Sequence, residues 1–190
     1  MATNRILYIN ATSSDSSRTN NLAQTLLSCL SGDIKEVRLR DLGLKSLSEE
    51  KIQKRMKDIA ARDYTDYQEA VDFANADTIV IAAPHYDLSF PSLLKVYIEN
   101  IYVLGVVTSF APDGHVIGLC KAKKLFYVAT SGGPLETRFG YEYIKALALD
   151  YFGIMDCELL AAENLDINPS LAPSILEKAK EDIRTRFKKP

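Results

Sequence analysis

The feature that most constrains this chain is the regular alternation of short apolar runs with longer stretches of helical period. Strand-type runs lie at Ile6 to Ile9, Ile34 to Leu39, Thr78 to Ala82, Lys124 to Ala129 and Cys157 to Ala161. Between them Leu22, Leu26, Leu27 and Leu30 recur near the 3.6-residue spacing that puts side chains on one helix face. The same spacing marks Leu93, Leu94, Tyr97, Ile98 and Ile101, and again Ile175, Ala179, Ile183 and Phe187. Strands separated by helices of this length make βαβ units, because parallel neighbours need a long crossover. The expected fold class is therefore α/β, a five-stranded parallel sheet with helices on both faces.

Length and composition narrow this further. At 190 residues and 47% hydrophobic content the chain can fill one substantial core, and it carries no internal repeat or linker. One domain spanning residues 1–190 is expected. The stretch Glu49 to Asn75 reads as one broken helix or two, with Ile52, Met56, Ile59, then Tyr67, Val71 and Ala74 as inward positions. Pro112, Asp113 and Gly114 mark a turn inside an excursion from Gly105 to Gly118. The apolar set Leu93, Leu94, Val96, Tyr97, Ile98, Ile101, Tyr102, Val103 and Leu104 is broader than one stripe, which implies a second contact surface and a homodimer.

Charge and cysteine usage exclude several function classes. The 23 basic and 25 acidic residues give a net charge of -2 and are interleaved, which argues against a nucleic-acid surface and a polybasic membrane patch. Lys188 and Lys189 read as a solvated helix end, where cations oppose the helix dipole. Cys29, Cys120 and Cys157 are odd in number and widely spaced, so a reducing compartment and no metal site are expected. The opening MATNRILYIN passes directly into a strand pattern without the marks of a signal peptide, and no segment has the apolar length of a membrane helix. A cytoplasmic protein is expected.

In parallel sheets ligands bind outside the carboxyl ends of the strands. After the first strand, Asn10 to Asn20 crowds Thr12, Ser13, Ser14, Ser16, Ser17 and Thr19 with Arg18 at a helix start. Free backbone amides there suit a phosphate, and the absence of glycine removes both the dinucleotide fingerprint and the P-loop, leaving a terminal monophosphate site. Helix capping alone is the other reading of these hydroxyls. After the third strand, Pro84-His85-Tyr86-Asp87-Leu88-Ser89-Phe90-Pro91 is an aromatic and apolar loop. It can lie along a flat ring such as flavin, or simply connect strand to helix. His85 reads as a structural histidine, since His115 is the only other one. The fourth strand ends in Thr130-Ser131-Gly132-Gly133-Pro134, either a tight turn or a close backbone approach that presents N–H groups to a ligand.

Together these three loops resemble the flavodoxin-like FMN-dependent NADH:quinone reductases and azoreductases over nearly the whole chain. Ala82-Ala83-Pro84-His85-Tyr86-Asp87-Leu88, with Leu93, Leu94, Lys95, Tyr97 and Gly105-Val106 after it, is similar to the family's A-A-P-M-Y-N-F loop and long helix. Ser17-Arg18-Thr19-Asn20 resembles its phosphate-binding S-x-S-N, and Thr130-Ser131-Gly132-Gly133 its S-R-G-G. The resemblance implies strand order 2-1-3-4-5, FMN across the three loops, NADH or NADPH as donor, a homodimer, and reduction of quinones, azo dyes or nitro compounds. It implies Tyr86 and Phe110 as flavin or substrate contacts, Phe110 coming from the neighbouring subunit. Three positions depart from the family pattern: Asp87 for the usual Asn, Ser131 for Arg, and Ala11 for a common Ser. A flavodoxin-like electron carrier is the alternative, although carriers are usually markedly acidic. A non-flavin α/β domain is a third reading.

Overall fold

The structure is a computed structural model that describes residues 3–188. Met1, Ala2 and the Lys189 half of the expected helix end lie outside the described residues. The main sheet is built from β1 (Arg5–Asn10), β2 (Asp33–Arg38), β3 (Thr78–Ala82), β6 (Lys124–Thr130) and β7 (Asp156–Ala162), all parallel, in the order β2-β1-β3-β6-β7. Numbered along the sheet strands alone this is 2-1-3-4-5, the flavodoxin order.

The two faces follow from strand alternation. Leu7 and Ile9 of β1 point to one face, with Ile79, Ile81, Leu125 and Tyr127. That face is covered by α3 (Gln68–Asn75), α4 (Ser92–Ile101) and α5 (Tyr141–Leu147), through Phe73, Leu94, Tyr97 and Ile144. Ile6 and Tyr8 point to the other face, under Leu22 and Leu26 of α1 (Arg18–Cys29) and Ile183 of α6 (Ala172–Arg186). The central strands β1, β3 and β6 are buried on both sides, which is why they read as continuous apolar runs.

The charged 49–75 stretch resolves into two helices, α2 (Glu49–Ala61) and α3. Here the expected inward stripe is corrected: Ile52 and Met56 are exposed. Arg55 displaces them, because its guanidinium reaches across to donate to the carbonyls of Glu99, Asn100 and Tyr102 at the end of α4. Capping those orphan carbonyls turns Arg55 and Ile59, one helical turn apart, toward the protein. In α3 Ala74 is buried as expected, Tyr67 and Val71 are half-buried, and Ala70 and Phe73 supply the rest of the inward face.

The Gly105–Gly118 excursion is an antiparallel hairpin of β4 (Thr108–Phe110) and β5 (Val116–Gly118), with Gly114 in the left-handed region at its turn. Its base is locked to a π turn, Ala148–Phe152, that extends α5: Cys120 N–H donates to Phe152 O, and a Cβ on Gly118 would strike the Phe152–Gly153 backbone. The breadth of the α4 apolar set has part of its explanation inside the chain. Leu94, Tyr97, Ile98, Ile101 and Val103 are buried in their own subunit, whereas Leu93 is exposed and Val96, Tyr102 and Leu104 are half-buried, so only part of the set is accounted for within the chain.

Candidate active site

Three loops meet at the carboxyl ends of β1, β3 and β6. The first is fixed by its own side chains. Asn10 Oδ1 accepts from the Thr12 amide (3.0 Å) and hydroxyl (2.7 Å), while its Nδ2 donates to Glu36 (2.9 Å). Buried Tyr8 donates its hydroxyl to Asn20 Oδ1 at 2.7 Å, and Asn20 Nδ2 donates back to the Asp15 carbonyl at 3.0 Å. Arg40 donates to the Asp15 carboxylate at 2.5 Å, and this hydrogen bond holds that carboxyl below its ordinary range.

What this bracing leaves open is backbone. The first α1 amide with a helical partner is Asn21, which donates to Ser17 O, so the amides of Arg18, Thr19 and Asn20 meet no protein acceptor among the described residues. Ser17, at the N-cap, makes no side-chain capping bond. Three free N–H groups at the positive end of a helix, with a free hydroxyl beside them, suit an anion. Thr19 is fully buried and its hydroxyl lies 2.6 Å from that of Thr130, so its side chain is turned inward.

The second loop is held by backbone. The amides of Ala83 and His85 continue the sheet by donating to Val128 O and Thr130 O, and Pro84 between them is buried. Tyr86 and Ser89 then exchange two hydrogen bonds of 2.8 Å around Asp87 and Leu88, whose φ values are 47° and 69°. Positive φ at both central residues is the type I′ pattern, which favours Asn-Gly; Leu in this conformation has no local polar bond to offset the strain. The turn holds Tyr86, Asp87 and Leu88 exposed at the rim. His85 is half-buried in a crevice it shares with Tyr127, Leu135, Glu136 and Tyr141. The Arg138 guanidinium holds the Glu136 carboxyl down to about 2.

In the third loop Thr130 and Ser131 are buried, and Ser131 donates its hydroxyl to Gly133 O at 2.6 Å. The carbonyls of Ser131, Gly132 and Gly133 accept from Leu165, Asp166 and Asn164 after β7. The amides of Gly132 and Gly133 find no protein acceptor among the described residues. A Cβ at Gly133 would meet open space, whereas one at Gly132 would collide with the Asp166 carboxylate.

The chain matches the flavodoxin-like fold family model over residues 4–187. It is 35% identical to FMN-dependent NADH:quinone oxidoreductase 2 of Clostridium acetobutylicum across 75% of this chain and 76% of that one. It belongs to the flavodoxin-like family of FMN-dependent NADH:quinone reductases and azoreductases. An FMN-dependent NADH:quinone oxidoreductase of Clostridium perfringens is also 35% identical, but there the match spans only 63% of the relative's length. Two solved structures share the fold of this family member. They are an azoreductase from Bacillus anthracis (TM-score 0.80, 19% identity, 97% of this chain and 98% of that one) and an FMN-dependent NADH-azoreductase from the same species in complex with FMN (TM-score 0.76, 19% identity, 97% and 99%).

The fold thus gathers Ser17, Arg18, Thr19, Pro84, His85, Tyr86, Asp87, Leu88, Thr130, Ser131, Gly132 and Gly133 along one rim. Phe110 stands apart, 52% exposed at the end of β4, and no hydrogen bond or aromatic pairing ties it to the three loops among the described residues. A cavity of about 250 Å³ lined by Leu44, Lys51, Arg55, Tyr67 and Asn100 takes no residue from those loops. Asp166 is the residue that sequence reasoning missed. Arg18 donates to both its oxygens, at 2.9 and 3.4 Å, so the one cation of the first loop already has a partner. The signal was its place just after β7, another carboxyl end of the same sheet.

Proposed function

We propose that this protein is an FMN-dependent NAD(P)H oxidoreductase that reduces quinones, azo and nitro compounds. The observation that carries the reading is the set of free amides on one rim: three at the start of α1, and two at Gly132 and Gly133, with the strained Tyr86–Ser89 turn presented alongside. FMN fits this donor set. Its terminal phosphate would take the amides of Arg18, Thr19 and Asn20 with the Ser17 hydroxyl, and its ring would lie between residues 84–88 and 130–133. A pyrophosphate fits poorly, because no glycine in the first loop opens the backbone to close approach. When bound, FMN supplies the redox chemistry, accepting hydride from the nicotinamide and passing it to the acceptor.

The chain's part is to bind and orient. Tyr86 offers an aromatic contact to ring or substrate, and Asp87 puts a carboxyl group at the ring's edge. No residue is assigned as a catalytic acid or base. The working unit in this reading is a homodimer in which Phe110 of one copy covers the site of the other, supported by the exposure of Phe110, Tyr86, Leu88 and Phe139. A cytoplasmic setting goes with it, supported by three cysteines that are all unpaired.

Denaturing the purified protein and identifying the released cofactor tests the reading directly: FMN is expected, and FAD or no flavin would overturn it. With menadione as acceptor, double-reciprocal plots should be parallel because donor and acceptor use one site in turn. Intersecting lines would contradict a shared site. Light scattering should give twice the chain mass across a concentration series; a constant single-chain mass would remove the dimer.

A further inference from the structure

Resting on the flavin reading, we infer that Asp166 is a positioning residue for phosphate recognition, holding the Arg18 guanidinium at the mouth of the α1 anion site. Arg18 is the first helical residue of α1, beside the three free amides, and it reaches Asp166 with two hydrogen bonds. Asp166 is itself fixed from two directions. Its amide donates to Gly132 O at 2.8 Å, and its carboxylate fills the place where a Cβ on Gly132 would stand. The pair therefore ties the start of α1 to the glycine loop, although the two are far apart in sequence.

Stability does not account for this pair. Arg18 and Asp166 side chains are 43% and 62% exposed, and ion pairs this open contribute little to folding. Pre-organisation does account for it. A free arginine must give up much rotamer freedom to meet a ligand, whereas one already clamped gives up less. Arginine has five N–H donors, and two go to Asp166. The remaining donors stay available to a phosphate. The Arg18 guanidinium holds the Asp166 carboxyl below its ordinary range, so the clamp is ionised at neutral pH.

This assigns Asp166 to the phosphate end of the ligand alone, which separates it from a general loop brace. The test is titration of flavin-stripped protein with FMN and with riboflavin, following flavin fluorescence, in wild type, Asp166→Asn, Asp166→Glu and Arg18→Ala. Asp166→Asn should weaken FMN about fivefold to tenfold and leave riboflavin unchanged. Asp166→Glu should recover part of the loss, and Arg18→Ala combined with Asp166→Asn should lose no more than Arg18→Ala alone. Unchanged or tighter FMN binding in Asp166→Asn would overturn the assignment. So would equal losses for FMN and riboflavin, or additive losses in the double variant. Wild-type protein that binds neither flavin would instead overturn the cofactor reading on which this one stands.

Discussion

The first and second loops of the site solve opposite problems. Residues 10–20 are locked by side chains, with Asn10, Asn20, Tyr8, Glu36, Asp15 and Arg40 joined in one hydrogen-bonded web. Residues 83–89 are locked by backbone, and Asp87 and Leu88 occupy a conformation that L-residues avoid. In the first loop most polar side chains are consumed by the protein, and what is left open is backbone amide with the Ser17 hydroxyl beside it. In the second the backbone absorbs the strain, and side chains are presented at the rim. A phosphate anchor has to be rigid and chemically uniform; a surface that sets the environment of a redox ring has to be specific in its side chains.

The strongest way to break the contrast is to remove the hub of the first loop. Asn10→Ala strands the Thr12 amide and hydroxyl in a buried setting and removes one donor from the half-buried Glu36 carboxylate, which keeps Arg38. A loss of about 2–4 kcal/mol is expected, lowering Tm by about 5–15 °C. Thermal unfolding measures it, and an unchanged Tm would show that the web carries no load. Leu88→Gly probes the second loop in the opposite sense. Glycine relieves the left-handed strain but gains freedom in the unfolded chain, so stability should rise by up to about 1 kcal/mol. FMN should dissociate faster, because the turn is no longer held in one conformation. A large loss of stability would mean that Leu88 packs as core. At Asp87→Asn the expected effect falls on the flavin potential and not on the fold. Removing a negative charge beside the ring should raise the flavin midpoint potential by about 30 mV, or about 1.4 kcal/mol for a two-electron couple, with no loss of FMN. A fall in potential would show that the carboxyl does not act on the ring electrostatically.

Much of this fold is legible in the chain because strands and turns announce themselves locally. Ile6 to Ile9, Thr78 to Ala82 and Pro112-Asp113-Gly114 lie where periodicity and turn chemistry put them. Where the sequence misleads, a distant partner decides. Arg55 turns Ile52 and Met56 outward because it caps α4 some 45 residues on. Helix α5 goes unannounced, since Tyr141, Ile144, Ala148 and Phe152 follow a Gly-Pro-rich loop and pass from α into π geometry. The site divides in the same way. Residue types single out its three loops as candidates, but the inward turn of the Thr19 hydroxyl depends on Thr130, 111 positions later, and the Arg18 clamp depends on Asp166, 148 positions later.

The central claim is that an anchored amide cradle and a strained side-chain turn together hold one working flavin. An anaerobic absorbance spectrum of the purified protein, before and after NADH, tests both halves at once. A yellow protein whose visible flavin band bleaches on adding NADH and returns on adding a quinone is the expected result. A colourless protein that takes up no FMN, or a flavin band that NADH leaves untouched, would contradict the account.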